Sequence, residues 1–316
     1  MSMRKKVKLI IILALIPVFC LSGCSSGNRV YKLELIVRYA QSAFWQYVYI
    51  GAQAAATQHE VEITYLGPGT DRLEQKEILE QSIQRKPDAI ILAAADYNLM
   101  VEPMEKVVDA GIDVIMVDSG INSDKWVSFV SSDNYDIGAN LASELISATK
   151  KPGSVGIIDY MEGTLPFVER QEGFLSVMSG SDDLTVADIV YCDRSVDVAE
   201  QLAEDMIMAN PDLVAIAGLS GICSIGAAKA IERLGRSDIT LVSIDLSIDA
   251  VHYMERGIIN VAIIQNPYLM GYYSVETAVR HLSGKRVERN IFTETRVITK
   301  ENIFTEENQQ LIFPFD

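Results

Sequence analysis

The feature that most constrains this chain is a repeated alternation. Short, almost continuously apolar runs are each followed by a segment of helical spacing. KLELIVR (32–38), VEITYLG (61–67), DAIILAAA (88–95) and IDVIMVD (112–118) read as strands. Helices are expected over 44–58, 73–84 and 98–110, and in the first of these Phe44, Val48, Ala52 and Ala55 share one face. Strands apolar on both faces are expected to be parallel and covered on both sides, and the short connections fit βα units. The same grammar then recurs. GSVGIIDY (153–160), LTVADIVY (184–191), LVAIAGLS (213–220) and ITLVSIDLS (239–247) read as strands, with helices expected over 135–148, 167–179, 196–209 and 224–234. The chain is 316 residues long and 49% apolar, enough for the two similar α/β lobes that this repetition predicts.

One strand in each half ends apolar–apolar–Asp: VIMVDSG places Asp118, and VSIDLS places Asp245. In open α/β sheets ligands sit beyond the carboxyl ends of the strands, and two facing crevices make a cleft. An aspartate there can cap the next element, move a proton, hold a metal or grip hydroxyl groups. An ionised carboxylate has about four acceptor sites, so it can take two neighbouring hydroxyls.

Other classes are disfavoured by specific residues. The net charge is −16, and without residues 1–23, which contain Arg4, Lys5, Lys6 and Lys8 and no acid, 23 basic residues face 43 acidic ones. Such a chain has no general attraction to a phosphate backbone, so no nucleic-acid partner is expected. GLSGI (218–222) follows a strand and opens a helix, but Ile222 stands where a nucleophile elbow needs glycine. GPGT (67–70) lacks the Gly-Lys-Ser/Thr ending of a phosphate loop. No CxxC or HxxxH occurs, and His59, His252 and His281 lie far apart, so neither metal nor cofactor is expected. Cys192 and Cys223 do not make a disulfide framework and read as small buried residues, although an exported location permits a bridge.

The N-terminus points to export. MSMRKKVK is basic, LIIILALIPVFCL is an uncharged run too short for a comfortable membrane span, and LSGC (21–24) follows. LSGC resembles the lipobox of bacterial lipoproteins, which implies cleavage before Cys24, lipid on its sulfur and a short tether over 25–29.

Several stretches in order carry a wider resemblance: AFWQYVYIGAQAAA, VIMVDSG, VSSDN (130–134), ERQEGF (169–174), VSIDLSID (242–249) and VAIIQNP with SVETA downstream. Together they resemble the type I periplasmic binding proteins, close in pattern to the ribose-binding class, from about Lys32 to Thr299. The resemblance implies two Rossmann-like α/β/α lobes with parallel sheets, joined by three crossovers near Ser132–Asp133, Gln265–Asn266 and Glu294–Thr295. It assigns 30–132 plus 266–294 to one lobe and 133–265 plus 295–316 to the other, after a signal at 1–23 and a tether at 24–29. It implies a monomer, not an enzyme, held at the outer face of a bacterial cytoplasmic membrane. Closing on a small polar solute, usually a sugar, it would serve the permease of an ABC transporter. A membrane sensor kinase is an alternative partner, and a furanose-like signal or a nucleoside an alternative ligand. The same fold forms the sensor core of lactose-repressor-like regulators, but the helix-turn-helix expected there is replaced by the export signal.

By the family pattern Phe44 and Trp45 stack on the sugar, Asp118 and Asp245 accept from its hydroxyls, and Gln265 reads a further hydroxyl. Stacking is chemically sound because one face of a sugar ring is rich in C–H. Asn134 either faces the cleft or caps the helix after it. Departures follow: Ser119 stands where the ribose-binding pattern has arginine, Val168 stands at its ligand arginine and Ser220 at an asparagine. Arg170 lies three residues before Gly173, a position more often structural, while Arg38 ends the first strand and Arg194 replaces an aromatic. Arg38 and Arg194 either meet an anionic substituent or are solvated rim residues.

Overall fold

A computed structural model describes residues 29–69, 71, 73–162 and 164–312. The stretch expected to be an export signal, and Cys24, lie outside the described residues. The first half runs β1 (Lys32–Ile36), α1 (Ala43–His59), β2 (Glu62–Leu66), α2 (Glu74–Arg85), β3 (Ala89–Leu92), α3 (Val101–Asp109), β4 (Asp113–Val117) and β5 (Ser128–Ser131). The second runs α4 (Asn134–Ala148), β6 (Gly153–Asp159), α5 (Leu165–Met178), β7 (Leu184–Tyr191), α6 (Val196–Ala209), β8 (Leu213–Gly218), α7 (Gly221–Leu234), β9 (Thr240–Ile244), α8 (Ile248–Glu255) and β10 (Ile259–Ile264). The chain ends with α9 (Pro267–Leu282), β11 (Asn290–Phe292), β12 (Arg296–Thr299) and α10 (Glu306–Ile312).

These strands form two six-stranded sheets, ordered β11-β5-β4-β3-β1-β2 and β12-β10-β9-β8-β6-β7. The orders correspond strand for strand, so β4 and β9 hold equivalent places. All pairings are parallel except β12, which runs antiparallel to β10. That one departure from a wholly parallel sheet arises because β12 follows β11 from the other sheet after only three residues, too short for a helical crossover. Continuously apolar strands such as AIIL (β3) are buried throughout, as parallel strands covered on both faces should be.

The chain passes between the sheets three times: between β5 and α4, between β10 and α9, and between β11 and β12. Consequently α4 covers the second sheet and α9 the first. α9 crosses α1, and α4 crosses α5, at closest approach through glycines. A Cβ on Gly138 would sit on the carbonyl oxygen of Arg170, and one on Gly173 would meet the carbonyl of Tyr135. Gly51 and Gly271 do the same for α1 and α9. The tight α4–α5 crossing matters most, because α5 carries Arg170.

Polar side chains fix the strand ends. Buried Gln75 donates to the carbonyls of Val37 and Ala93 at 3.0 and 2.8 Å and accepts from Ala95 N–H at 2.8 Å. Arg170 does comparable work in the second lobe, donating to the carbonyl of Leu219 at 3.1 Å.

Candidate functional site

Asp118 and Asp245 follow β4 and β9 directly, and each N–H extends the ladder to the neighbouring strand, Val130 O at 2.8 Å and Ile263 O at 2.9 Å. Both then take left-handed backbone, with φ of 58° and 64°. That region is uncommon for non-glycine residues, although aspartate tolerates it better than most. It turns each carboxylate out of the strand direction at the sheet's carboxyl edge, and such backbone is often found at functional sites.

In the first lobe, Arg38 donates through Nη2 to Asp118 Oδ2 at 3.2 Å, and Ser119 Oγ donates to the same oxygen at 3.0 Å. Asp118 is 3% exposed and Ser119 1%. In the second lobe, Gln265 N–H reaches Asp245 Oδ1 at 3.2 Å, and Gln265 Nε2 reaches Oδ2 at 2.8 Å. Burial raises the Asp245 carboxyl, and the Arg170 guanidinium opposes that rise. Arg170, 3% exposed, donates from Nε to Asn134 Oδ1 at 2.9 Å. Burial pulls its guanidinium down, while Asp245, Asp118 and Asp159 push it back up. One cation therefore interacts with carboxylates from both lobes. Arg38 Nε and Gln265 Oε1 are buried and unpaired, a free donor and a free acceptor from the same set of residues.

The family model described as the periplasmic binding protein domain matches residues 33–286. The chain belongs to this family. The ribose import binding protein of Bacillus subtilis is 23% identical over 311 residues, covering 95% of this chain and all of that protein. A solved solute-binding protein from Agrobacterium vitis, bound with α-D-tagatopyranose, is 30% identical with a TM-score of 0.86, covering 89% of this chain and 99% of that one. Another from Agrobacterium radiobacter, in complex with D-arabinose, is 28% identical with a TM-score of 0.85, covering 90% and 99%.

Placed in this periplasmic binding protein, the residues singled out from sequence divide into those that converge and those that do not. Arg38, Asp118, Ser119, Asn134, Arg170, Asp245 and Gln265 form the connected set just described. The helix-capping alternative for Asn134 goes instead to Asp133, which accepts from Asp136 N–H at 3.0 Å. Ser220 caps α7, accepting from Cys223 N–H at 3.4 Å, and is 8% exposed. Trp45 is only 3% exposed and packs into the first lobe's core, with the Arg38 guanidinium 5.4 Å from its ring centre. Phe44 is half-buried and meets Trp45 edge to face at 5.1 Å. Arg194 is exposed, at the end of a left-handed pair with Asp193 (φ 65° and 43°), where its charge is felt by Tyr160. Val168 is exposed.

Three residues escaped the sequence reading. Asp159 ends β6, is 1% exposed, and accepts from Tyr160 N–H at 2.7 Å. Burial pushes its carboxyl up to about 7, against the pull of that N–H and of Arg170. Tyr160 and Phe167 stack at 4.7 Å, and Phe167 lies under both Arg170 (5.2 Å) and Arg38 (5.8 Å). The Arg38–Phe167 contact crosses from one lobe to the other, as does Gly120 against Leu165. Asp159 had a readable signal, since GIID repeats the apolar–apolar–Asp ending of Asp118. Phe167 had none, because its place depends on how α5 enters the cleft.

Proposed function

We propose that this extracytoplasmic solute-binding protein captures a neutral, hydroxylated small molecule, a monosaccharide or a close derivative, by closure of its lobes and passes it to the permease of an ABC transporter. The observation that carries the reading is the convergence of Asp118 and Asp245, one from each sheet, about Arg170. A solute that donates hydroxyls to both carboxylates stabilises only the closed arrangement, which is what couples binding to closure. Asp118 Oδ1 receives neither of the bonds that occupy Oδ2, and each Asp245 oxygen has capacity beyond its Gln265 bond. Each charge-assisted hydroxyl bond contributes about 1.5–3 kcal/mol. Arg38 Nε and Gln265 Oε1 take an acceptor and a donor, and one hydroxyl supplies either. The Phe167–Tyr160 pair offers a ring face alongside Phe44 and Trp45.

The charge balance favours a neutral ligand over the anionic substituent considered for Arg38. The two guanidiniums are already matched by Asp118 and Asp245, with Asp159 a third carboxyl that burial keeps partly protonated, and Arg38 is already paired with Asp118. In this reading the lobes move about the three crossovers, which would divide the chain into 30–132 with 266–294 and 133–265 with 295–316. Lipid attachment at Cys24 would hold the protein at the membrane. A sensor kinase as partner rests on the same closed form and is distinguished by which membrane protein co-purifies.

A thermal-shift screen of sugars, sugar acids, polyols and nucleosides tests the assignment. A neutral pentose or hexose at about a hundred times its dissociation constant should stabilise by roughly 2.7 kcal/mol. Asp118→Asn and Asp245→Asn, which keep a side chain tolerant of left-handed backbone, should lose that shift while retaining the circular dichroism of the fold. A shift produced only by sugar acids, or one that survives both substitutions, overturns the reading.

A further inference from the structure

Behind the second lobe's wall of the cleft, two sulfur atoms lie in contact. Cys192 follows β7 and Cys223 sits in the first turn of α7, 31 residues apart, with Sγ–Sγ 3.4 Å. Both are free thiols and fully buried. Ser220 Oγ lies 3.0 Å from Cys223 Sγ, and the Tyr160 carbonyl lies 3.9 Å from Cys192 Sγ. Directly after Cys192, the left-handed Asp193–Arg194 pair turns the chain into α6. Ordinary core packing would be satisfied by any two small apolar residues here. Instead two thiols meet where a further approach of about 1.4 Å makes a bond of about 2.05 Å.

We propose that Cys192 and Cys223 form a thiol–disulfide couple, a covalent modification site that ties the β7–α6 turn to the start of α7 and so fixes the wall carrying Ser220 and Arg194. The two thiols are not equivalent. The Cys192 sulfur is drawn toward the thiolate by the hydrogen bond from Cys223, against its own burial and with help from the backbone N–H groups of Arg194 and Ser195. Burial drives the Cys223 thiol well up. Cys192 also lies in the β7–α6 turn that opens, whereas Cys223 lies within α7, so Cys192 is the attacking group.

The oxidant is a disulfide, either a small oxidised thiol such as oxidised glutathione or the disulfide of an exported oxidoreductase. The Cys192 thiolate attacks one of its sulfurs, forming a mixed disulfide and expelling a thiolate. That thiolate takes the Cys223 proton. Cys223 Sγ then attacks Cys192 Sγ and expels the second thiolate, which is protonated by solvent. Two electrons pass to the oxidant, which leaves as two thiols, and this protein retains one S–S bond. Because both sulfurs are buried, the exchange takes place while the turn is open, during folding or local unfolding. The couple does not depend on which solute enters the cleft.

Peptide mapping without reductant, after equilibration of the whole protein with oxidised glutathione, tests the couple. Trypsin cuts after Arg170, Arg194 and Lys229, so the expected product is peptide 171–194 joined to a peptide that begins at Ser195 and contains Cys223, 2 Da lighter than the two thiol peptides together. Reductant should separate them, lower the melting temperature by several degrees and speed amide exchange over 192–196. In Cys223→Ser, Cys192 should accumulate as a mixed disulfide with glutathione. In Cys192→Ser, Cys223 should stay unmodified under the same conditions. Wild-type peptides that remain separate, link only to Cys20, Cys24 or a second molecule, or carry glutathione without joining overturn the proposal, whether or not the serine variants fold.

Discussion

At the scale of single residues, the site is a set of charges held where few of them are solvated. Asp118 and Arg38 pair with their side chains 4% and 16% exposed, and loss of one partner strands the other. The chemistry of Asp159 is strongly displaced, because burial outweighs the Tyr160 N–H and Arg170. Its carboxyl titrates near 7 when folded, against an ordinary value of 3.8. Between these values the unfolded chain is ionised here and the folded chain is not. The stability this proton supplies is thus complete below about 3.8 and lost as pH rises to about 7. At 1.36 kcal/mol per pH unit the ceiling is about 4 kcal/mol. Asp159→Asn does not titrate, so its stability relative to the wild type should climb from pH 4 to 7 and then level, as read by urea unfolding at a series of pH values. A difference that stays flat would mean that Asp159 ionises normally.

Among the elements, the α4–α5 crossing decides where Arg170 goes. Gly138 and Gly173 let the two backbones touch, and the carbonyl that Gly138 approaches is that of Arg170 itself. A backbone oxygen cannot rotate aside, so Gly138→Ala must separate the helices. Overpacking of this kind costs about 1–3 kcal/mol, which exceeds the roughly 1 kcal/mol gained in helix propensity. The variant should melt several degrees lower. In isothermal titration with the sugar found by screening, it should bind at least tenfold more weakly, since Arg170 is carried out of reach of Asn134 and the Leu219 carbonyl. Unchanged affinity would show that Arg170 holds its place independently of the crossing. Much at this scale was readable from sequence. The βα grammar located β1–β4, β6–β9 and the helices α1–α7 to within a few residues, because a buried parallel strand must be apolar on both faces, but it did not name β5, α8 or β10. The third crossover's antiparallel β12, by contrast, carries no periodicity of its own. Its four residues pair as they do because β10 offers an open edge.

Over the whole molecule, the proposed closure depends on a contact between lobes rather than on a property of either. Gly120 beside Asp118 rests against Leu165 at the start of α5, and its backbone is not in the left-handed region, so a larger side chain there strains nothing locally. Gly120→Trp should prop the lobes apart without replacing Asp118 or Asp245, the carboxylates proposed to hold the solute. The radius of gyration from small-angle scattering should rise and stay high when the sugar is added, and affinity should fall by at least a factor of ten, about 1.4 kcal/mol. A closed scattering profile with full affinity would place the moving contact elsewhere.

The sequence by itself determined that the chain folds into two α/β lobes and that aspartates end equivalent strands of each, because apolar runs, helical spacing and a polar residue at a strand's end are local patterns. It also carried the signal that would have found Asp159. Only the tertiary structure decided that Arg170, 36 residues from Asn134 and 49 from Leu219, is the cation shared by three carboxylates. Only it decided that Cys192 and Cys223 touch. Those outcomes depend on how closely two helices cross and how two sheets face one another, and such distances are set by packing between segments that no local pattern relates.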